Sequence, residues 1–380
     1  MVYTTTYKAA REVSQTVIQH FVNSTAAALN RGATNLAEVP DVKIVEAIVD
    51  IAFWSSLRKE EGNTPRISLV YLSPNQANKN LLLNKPLKLT PENLTRLAPG
   101  LERSGIHVGV YLMEGELYIW GTTMSVPELC FVLDVSEPAL LVIKHRSTSG
   151  NGKFTNVAVL QGDKVKIVDE TKGNSSDTPP MLQWLLGSRL PVDRNEPVSV
   201  LIQLALSMRD HGRGGILLVV PAGSQSWLDS ILQPMTYSII PVKQGLAELV
   251  RQNDERISQN VWQSALRREV DHLAGLTAID GATVINAQHE LLTFGAKIGR
   301  KRGGTRVERI SLIEPIVGGE ARYLHPGQSG GTRHLSAAQF VHDQRDSMAL
   351  VASQDGQFTI FTWSEKEDIV LAHRIESLLL

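Results

Sequence analysis

Residues 213–221 read Arg-Gly-Gly-Ile-Leu-Leu-Val-Val-Pro, an unbroken apolar run from Ile216 to Val220 between a Gly-Gly pair and a proline. A run this short, with no polar alternation, marks a strand covered on both faces, and such strands lie inside sheets flanked by helices. Helical patterns follow at roughly 224–235 and 242–274. Strand-like runs return at 282–287, 291–297, 309–314, 348–353 and 357–363. A helix starts after Gly330-Gly331, and a last helix is expected shortly before Leu380. This order of strand, helices, strands, helix and strands predicts an α/β fold for the C-terminal half: a mixed sheet covered by helices.

Upstream of that half, residues 7–31 read as a helix. A second helix is predicted from Asp41 to about Glu61, with Asp41 as N-cap and Val42, Ile44, Val45, Ile48, Val49 and Ala52 at helical spacing. Thr90-Pro91 opens a short helix as cap and first-turn proline. Residues 67–72 alternate like a strand, and 107–112 with 116–121 form a hairpin around Glu114-Gly115. Further strands are read at 128–135, 139–145, 155–160 and 164–169, and helices at 181–188 and 198–210. The polar stretch 170–180, ending in Pro179-Pro180, is the best linker signal. Two domains are therefore expected, a smaller α/β region over 1–190 and the α/β domain over 191–380.

The chain has 380 residues, of which 42% are hydrophobic, enough to bury sizeable cores in two or three domains. With 38 Lys and Arg against 39 Asp and Glu, a broad nucleic-acid or anionic-membrane surface is excluded, since either needs excess cations. Only local cation clusters remain. The single cysteine, Cys130, excludes an intramolecular disulfide and a multi-Cys zinc site, and its apolar neighbours predict a buried strand thiol. No stretch reaches about 18 uninterrupted apolar residues, and the start has no basic, then apolar, leader pattern. A cytoplasmic protein without a membrane span is expected.

Three segments of the C-terminal half carry chemistry. Asp280-Gly281-Ala282 places a carboxylate at the mouth of a strand, a suitable ligand for Mg²⁺ or Mn²⁺. Gly330-Gly331-Thr332-Arg333-His334-Leu335-Ser336 runs glycines into a helix start. Its backbone N–H groups, a hydroxyl and a guanidinium suit a phosphate. Ser353-Gln354-Asp355-Gly356 is a polar turn between strands. Metal, guanidinium and amide donors together are what phosphoryl or nucleotidyl transfer requires. Each piece also has a plain structural reading: Asp-Gly as a turn, Gly-Gly-Thr as a helix cap, His334 as a core or surface histidine. Their order and spacing carry the chemical reading.

That order resembles the diadenylate cyclase domain, which condenses two ATP into cyclic di-AMP. The family's buried strand is matched by 213–220, and its Asp-Gly-Ala motif by Asp280-Gly281-Ala282. Its Gly-Thr-Arg-His-Arg motif is matched by Gly331-Thr332-Arg333-His334-Leu335. Its strand and Ser-Glu-Glu turn are matched by 346–352 with Ser353-Gln354-Asp355. The resemblance covers 195–380, with Leu335 in place of an arginine and Gln354-Asp355 in place of two glutamates. The segment between 221 and Asp280 is also longer than in the typical domain. With Trp54-Ser-Ser-Leu-Arg-Lys-Glu-Glu-Gly62, Leu89-Thr-Pro-Glu-Asn-Leu-Thr-Arg-Leu-Ala-Pro99 and Gly115-Glu-Leu-Tyr-Ile-Trp-Gly121, residues 40–135 resemble the accessory region that precedes a variant group of these cyclases and is regarded as a sensor.

The resemblance implies a nucleotidyltransferase that needs Mg²⁺ or Mn²⁺. Two domains would face each other in a homodimer or larger assembly, each 3′-hydroxyl attacking the α-phosphate of the partner's ATP. It assigns Asp280, Arg333 and His334 to catalysis, and Gly281, Ala282, Gly331, Thr332 and Ser336 to the nucleotide. Asp280 and Asp355 fall to the metal. Arg302, in the basic loop 300–306, is expected to reach the triphosphate and partly replace the cation missing at Leu335; the plain alternative is a solvated loop. No nucleic-acid polymer is expected as partner. A second reading is a catalytically degenerate domain that binds ATP or a cyclic dinucleotide as a sensor, and a third is a structural partner-binding protein with no nucleotide site.

Overall fold

The computed structural model describes residues 4–103, 105–148, 153–174, 176–186, 197–235, 237–251 and 259–380. The chain divides into two compact units, Met1–Asp169 with Leu380, and Glu170–Leu379. The boundary expected between 190 and 191 lies outside the described residues, as does the middle of the helical pattern at 242–274. Both units are mixed α/β. Among the described residues, no helix is long and apolar enough to cross a membrane.

The first unit opens with α1 (Lys8–Asn30) and α2 (Val42–Ser56), then β1 (Ser68–Tyr71), β2 (Asn78–Lys88), α3 (Pro91–Leu101) and β3 (His107–Met113). It continues through β4 (Glu116–Ser125), β5 (Phe131–Glu137), β6 (Leu140–Arg146), β7 (Phe154–Gln161) and β8 (Lys164–Ile167). The eight strands lie in the order β2-β4-β3-β1-β5-β6-β7-β8, with β1 and β3 parallel and the other neighbours antiparallel. Val13, Val17 and Phe21 of α1 and Ile44, Ile48 and Ile51 of α2 share a core with Leu69, Val108, Ile119, Leu133 and Ile143 of the sheet.

Local sequence explains the helix starts. Asp41 accepts the Ile44 N–H at 2.9 Å, and Thr90 accepts that of Asn93 at 3.2 Å ahead of Pro91. Helix α2 stops at Ser56 rather than near Glu61; Glu60 bridges Asn63 across a turn in which Glu61 has φ 50°. Strand β2 has no alternating pattern and contains Pro86, which an edge strand paired on one side tolerates. Cys130 is fully buried just before β5, and burial pushes its thiol up to about 12.

The second unit begins with α4 (Pro180–Leu185), α5 (Pro197–Asp210), β9 (Gly215–Val220) and β10 (Tyr237–Lys243). Next come α6 (Gly245–Arg251), α7 (Gln259–Leu276), β11 (Ala282–Asn286), β12 (Leu291–Ala296), β13 (Ile310–Ile313) and β14 (Arg322–Leu324). Helix α8 (Gly327–Asp343), β15 (Met348–Ala352), β16 (Phe358–Ser364) and β17 (Ile369–Arg374) complete it. The sheet order is β10-β12-β11-β9-β15-β16-β17-β13-β14, with β9/β11 and β13/β17 parallel and the remaining pairs antiparallel. Strand β9 lies inside the sheet between β11 and β15, as its apolar run predicts.

Two expectations differ from the structure here. The helix expected at 224–235 is only a 3₁₀ turn, Ser226–Ser230, followed by edge strand β10, which carries Pro241. The last element before Leu380 is strand β17 and a 3₁₀ turn, Glu376–Leu378, not a longer helix. In β17 buried residues run continuously from Ile369 to His373, so alternation could not reveal the strand.

Candidate functional site

Strand register brings the chemical segments to one end of the second sheet. Because β9 and β11 are parallel with Ala282 opposite Ile216, Asp280-Gly281 and Gly214 emerge side by side. The antiparallel neighbours deliver their opposite ends to the same place: Ala296 of β12 faces Ala282, and Ala352 of β15 faces Gly215. Phe358 of β16 then faces Ala352, and Arg374 of β17 faces Thr359. Lys297, the turn 353–356 and Arg374 therefore join Asp280 at this sheet end.

Helix α8 completes the cluster. Gly330 (φ 162°, ψ 35°) and Gly331 (φ 76°, ψ −159°) break it, so one turn precedes the helix that runs on from Thr332. Arg374 Nη2 donates to the Ser329 carbonyl at 3.1 Å and ties that turn to β17. Gly331, Thr332 and Arg333 are exposed. A Cβ on Gly214 would lie 2.9 Å from Arg333 Nη1 and 3.2 Å from the Ala352 carbonyl oxygen, so the guanidinium lies over the start of β9.

Asp280 projects into solvent, its side chain 96% exposed, and pairs with Lys297 Nζ. The hydrogen bond and charge of Lys297, with Arg333 adding to them, hold its carboxyl below the usual range. It is thus an anion at neutral pH. Its oxygens are hard donors that suit Mg²⁺ or Mn²⁺, the remaining positions being open to phosphate and water. Asp355 is also exposed and accepts from Ser353 Oγ, which lowers its pKa; His334 and Arg374 add to that shift. Gln354 Nε2 reaches the Arg213 carbonyl at 3.3 Å and ties this turn to the segment before β9.

His334 lies underneath the cluster. It is fully buried, with Nε2 3.2 Å from Thr359 Oγ1 and its ring edge-on to Phe361. Burial lowers its pKa, against the opposing pull of the Gly330 main chain and of Asp355. Ala282 is buried in the sheet core, Ser336 is half-buried one turn beyond Thr332, and Leu335 packs against the core.

Arg302 is exposed in a loop held elsewhere. Asp343 accepts from Lys301 N at 2.9 Å, while Gln339 accepts from Val307 N and donates to the Thr305 carbonyl. The loop is thus anchored about 10–16 Å along α8 from Thr332. The structure brings Asp280, Gly281, Gly331, Thr332, Arg333 and Asp355 to one sheet end, puts His334 and Ala282 below it, and ties the Arg302 loop to the far end of the helix. The sequence reading missed Lys297 and Arg374. A lysine directly after the strand that pairs with β11 was the signal for the first. The second was hidden with β17.

A family model described as "Probable sensor domain DACNV" matches residues 34–124, the stretch from before α2 to the end of β4. The matched segment lies within the first unit. No curated protein matches the chain.

Proposed function

We propose that the second unit binds ATP at the sheet end around Asp280 and Arg333. Two such units, each holding one ATP, would form cyclic di-AMP or a related cyclic dinucleotide, under control of the sensor domain in the first unit. The observation that supports this most is the convergence of a solvent-exposed carboxylate, a guanidinium and the Gly330–Thr332 turn at neighbouring strand ends. It is the combination of anion, cation and backbone donors that nucleotidyl transfer uses.

In this reading Asp280 and Asp355 hold Mg²⁺ or Mn²⁺, which when bound neutralises phosphate charge and makes the 3′-hydroxyl more acidic. Arg333 presents a planar fork to phosphate oxygens, and the amides around Gly331 and Thr332 point along the positive helix end. Gly281 and Ser336 border the nucleotide, while Ala282 and His334 support the site from beneath. The 3′-oxygen of one ATP bonds to the α-phosphorus of the other, the bond to the β-phosphate breaks, pyrophosphate leaves and the hydroxyl proton passes to water. This happens twice per ring. The reaction needs two sites face to face, hence a homodimer or larger assembly.

The test is the purified full chain with ATP and Mn²⁺, products resolved by chromatography. A cyclic dinucleotide that disappears in Asp280→Asn is the expected result; product undiminished in that variant would overturn the assignment of Asp280. The second reading, a nucleotide sensor without turnover, is favoured by Leu335 packing into the core where a phosphate-binding cation is expected. It predicts ATP or cyclic-dinucleotide binding and no product.

A further inference from the structure

We infer that Lys297 is a phosphate-binding residue of this site, held in reserve on Asp280 and released to the nucleotide when a divalent cation takes that carboxylate. The inference rests on the proposed nucleotide site and names the cation that the Leu335 position lacks.

The backbone presents Lys297 rigidly. Gly281 (φ 120°) and Gly295 (φ 61°) approach so closely that a Cβ on Gly281 would lie 2.4 Å from the Gly295 carbonyl carbon. The Lys297 carbonyl also accepts the Leu232 N–H at 2.8 Å. Its backbone is therefore fixed on both sides, while the side chain stays 51% exposed and ends on Asp280. The four-carbon stem of a lysine lets the ammonium swing without moving the strand.

Among the neighbouring cations, Arg333 already serves the phosphate oxygens in the proposed site, Arg374 holds the Ser329 carbonyl, and the loop carrying Arg302 is pinned along α8. Lys297 holds Oδ2 of Asp280, and a divalent cation bound to that carboxylate repels the ammonium beside it. A divalent cation with its phosphate cargo displaces the monovalent ammonium. The freed ammonium is then at the mouth of the site with phosphate oxygens as its nearest anions.

Calorimetry on the full chain tests this through binding rather than turnover, with Mn²⁺ alone and with ATP in the presence of Mn²⁺. Lys297→Met should bind Mn²⁺ alone more tightly than the wild type, since its competitor is gone. It should bind ATP with Mn²⁺ about tenfold more weakly, and Lys297→Arg should keep most of the ATP affinity. Unchanged ATP affinity in Lys297→Met, or a parallel loss of Mn²⁺ and ATP binding, overturns the role of Lys297 and leaves the nucleotide site standing. No ATP binding by the wild-type protein overturns both.

Discussion

The imidazole of His334 lies directly under Gly330: a Cβ there would be 2.3 Å from His334 Cε1 and 2.4 Å from Nδ1. The ring has little room to retreat, since Thr359 and Phe361 border it. The geometry of the Gly330-Gly331 turn thus depends on a buried histidine one helical turn later. Gly330→Ala should destabilise the protein by about 1–3 kcal/mol through overpacking. Pairing it with His334→Ala should recover part of that loss, a coupling that denaturant melts of the two single variants and the double variant measure. Strict additivity would show that the contact does not matter.

Arg333 and Arg302 separate two sources of positive charge. Arg333→Ala should weaken ATP binding about tenfold or more, as loss of a charge-assisted contact does. Arg302→Ala should change it less than twofold, because its loop is anchored to Gln339 and Asp343. Equilibrium binding of a fluorescent ATP analogue distinguishes them, and equal losses would contradict the placement of the loop.

In the first unit, the N-terminus of α1 has no side-chain cap of its own. Asp50 of α2 serves instead, accepting the N–H groups of Thr6 at 2.8 Å and Tyr7 at 2.6 Å from a position only 1% exposed. Asp50→Ala should cost about 2–4 kcal/mol by stranding those donors, and Asp50→Asn, which keeps an oxygen, should cost less. Hydrogen exchange at the start of α1 would report the same ranking.

His373 of β17 is buried, and neither ring nitrogen has a hydrogen-bond partner among the described residues. Burial pushes its pKa down to about 4, with Asp177 opposing the shift. The unfolded chain then binds more protons below about pH 6.5, so the contribution of this residue is complete above that pH and is lost as pH falls towards 4. Between pH 6.5 and 5 that loss is about 2 kcal/mol. His373→Leu should flatten the fall in unfolding midpoint between pH 7 and 5; an unchanged pH profile would refute the assignment.

Much of the fold was legible because it is written in short-range pattern. The apolar run from Ile216 to Val220 identified an interior strand, and Asp41 and Thr90 marked helix starts by their own side chains. The Asp280, Gly331–Arg333 and Asp355 segments were recognisable because carboxylate, glycine turn and guanidinium are local chemistry. Strands β2 and β10 escaped because edge strands need no alternation and tolerate Pro86 and Pro241. Strand β17 escaped because it is buried without a break from Ile369 to His373.

The amino-acid sequence alone determined which groups are present: two carboxylates, a glycine turn, an arginine, and no excess of cations for a nucleic-acid surface. Tertiary structure decided which of them meet. Pairing β11 parallel to β9 and antiparallel to β12 put Lys297 on Asp280, and helix α8 put Arg333 over Gly214. Packing α8 on β16 buried His334, while Gln339 and Asp343 kept the basic loop away from Thr332. Residues far apart in the chain come together only through strand register and helix packing, and neither is encoded in any one segment.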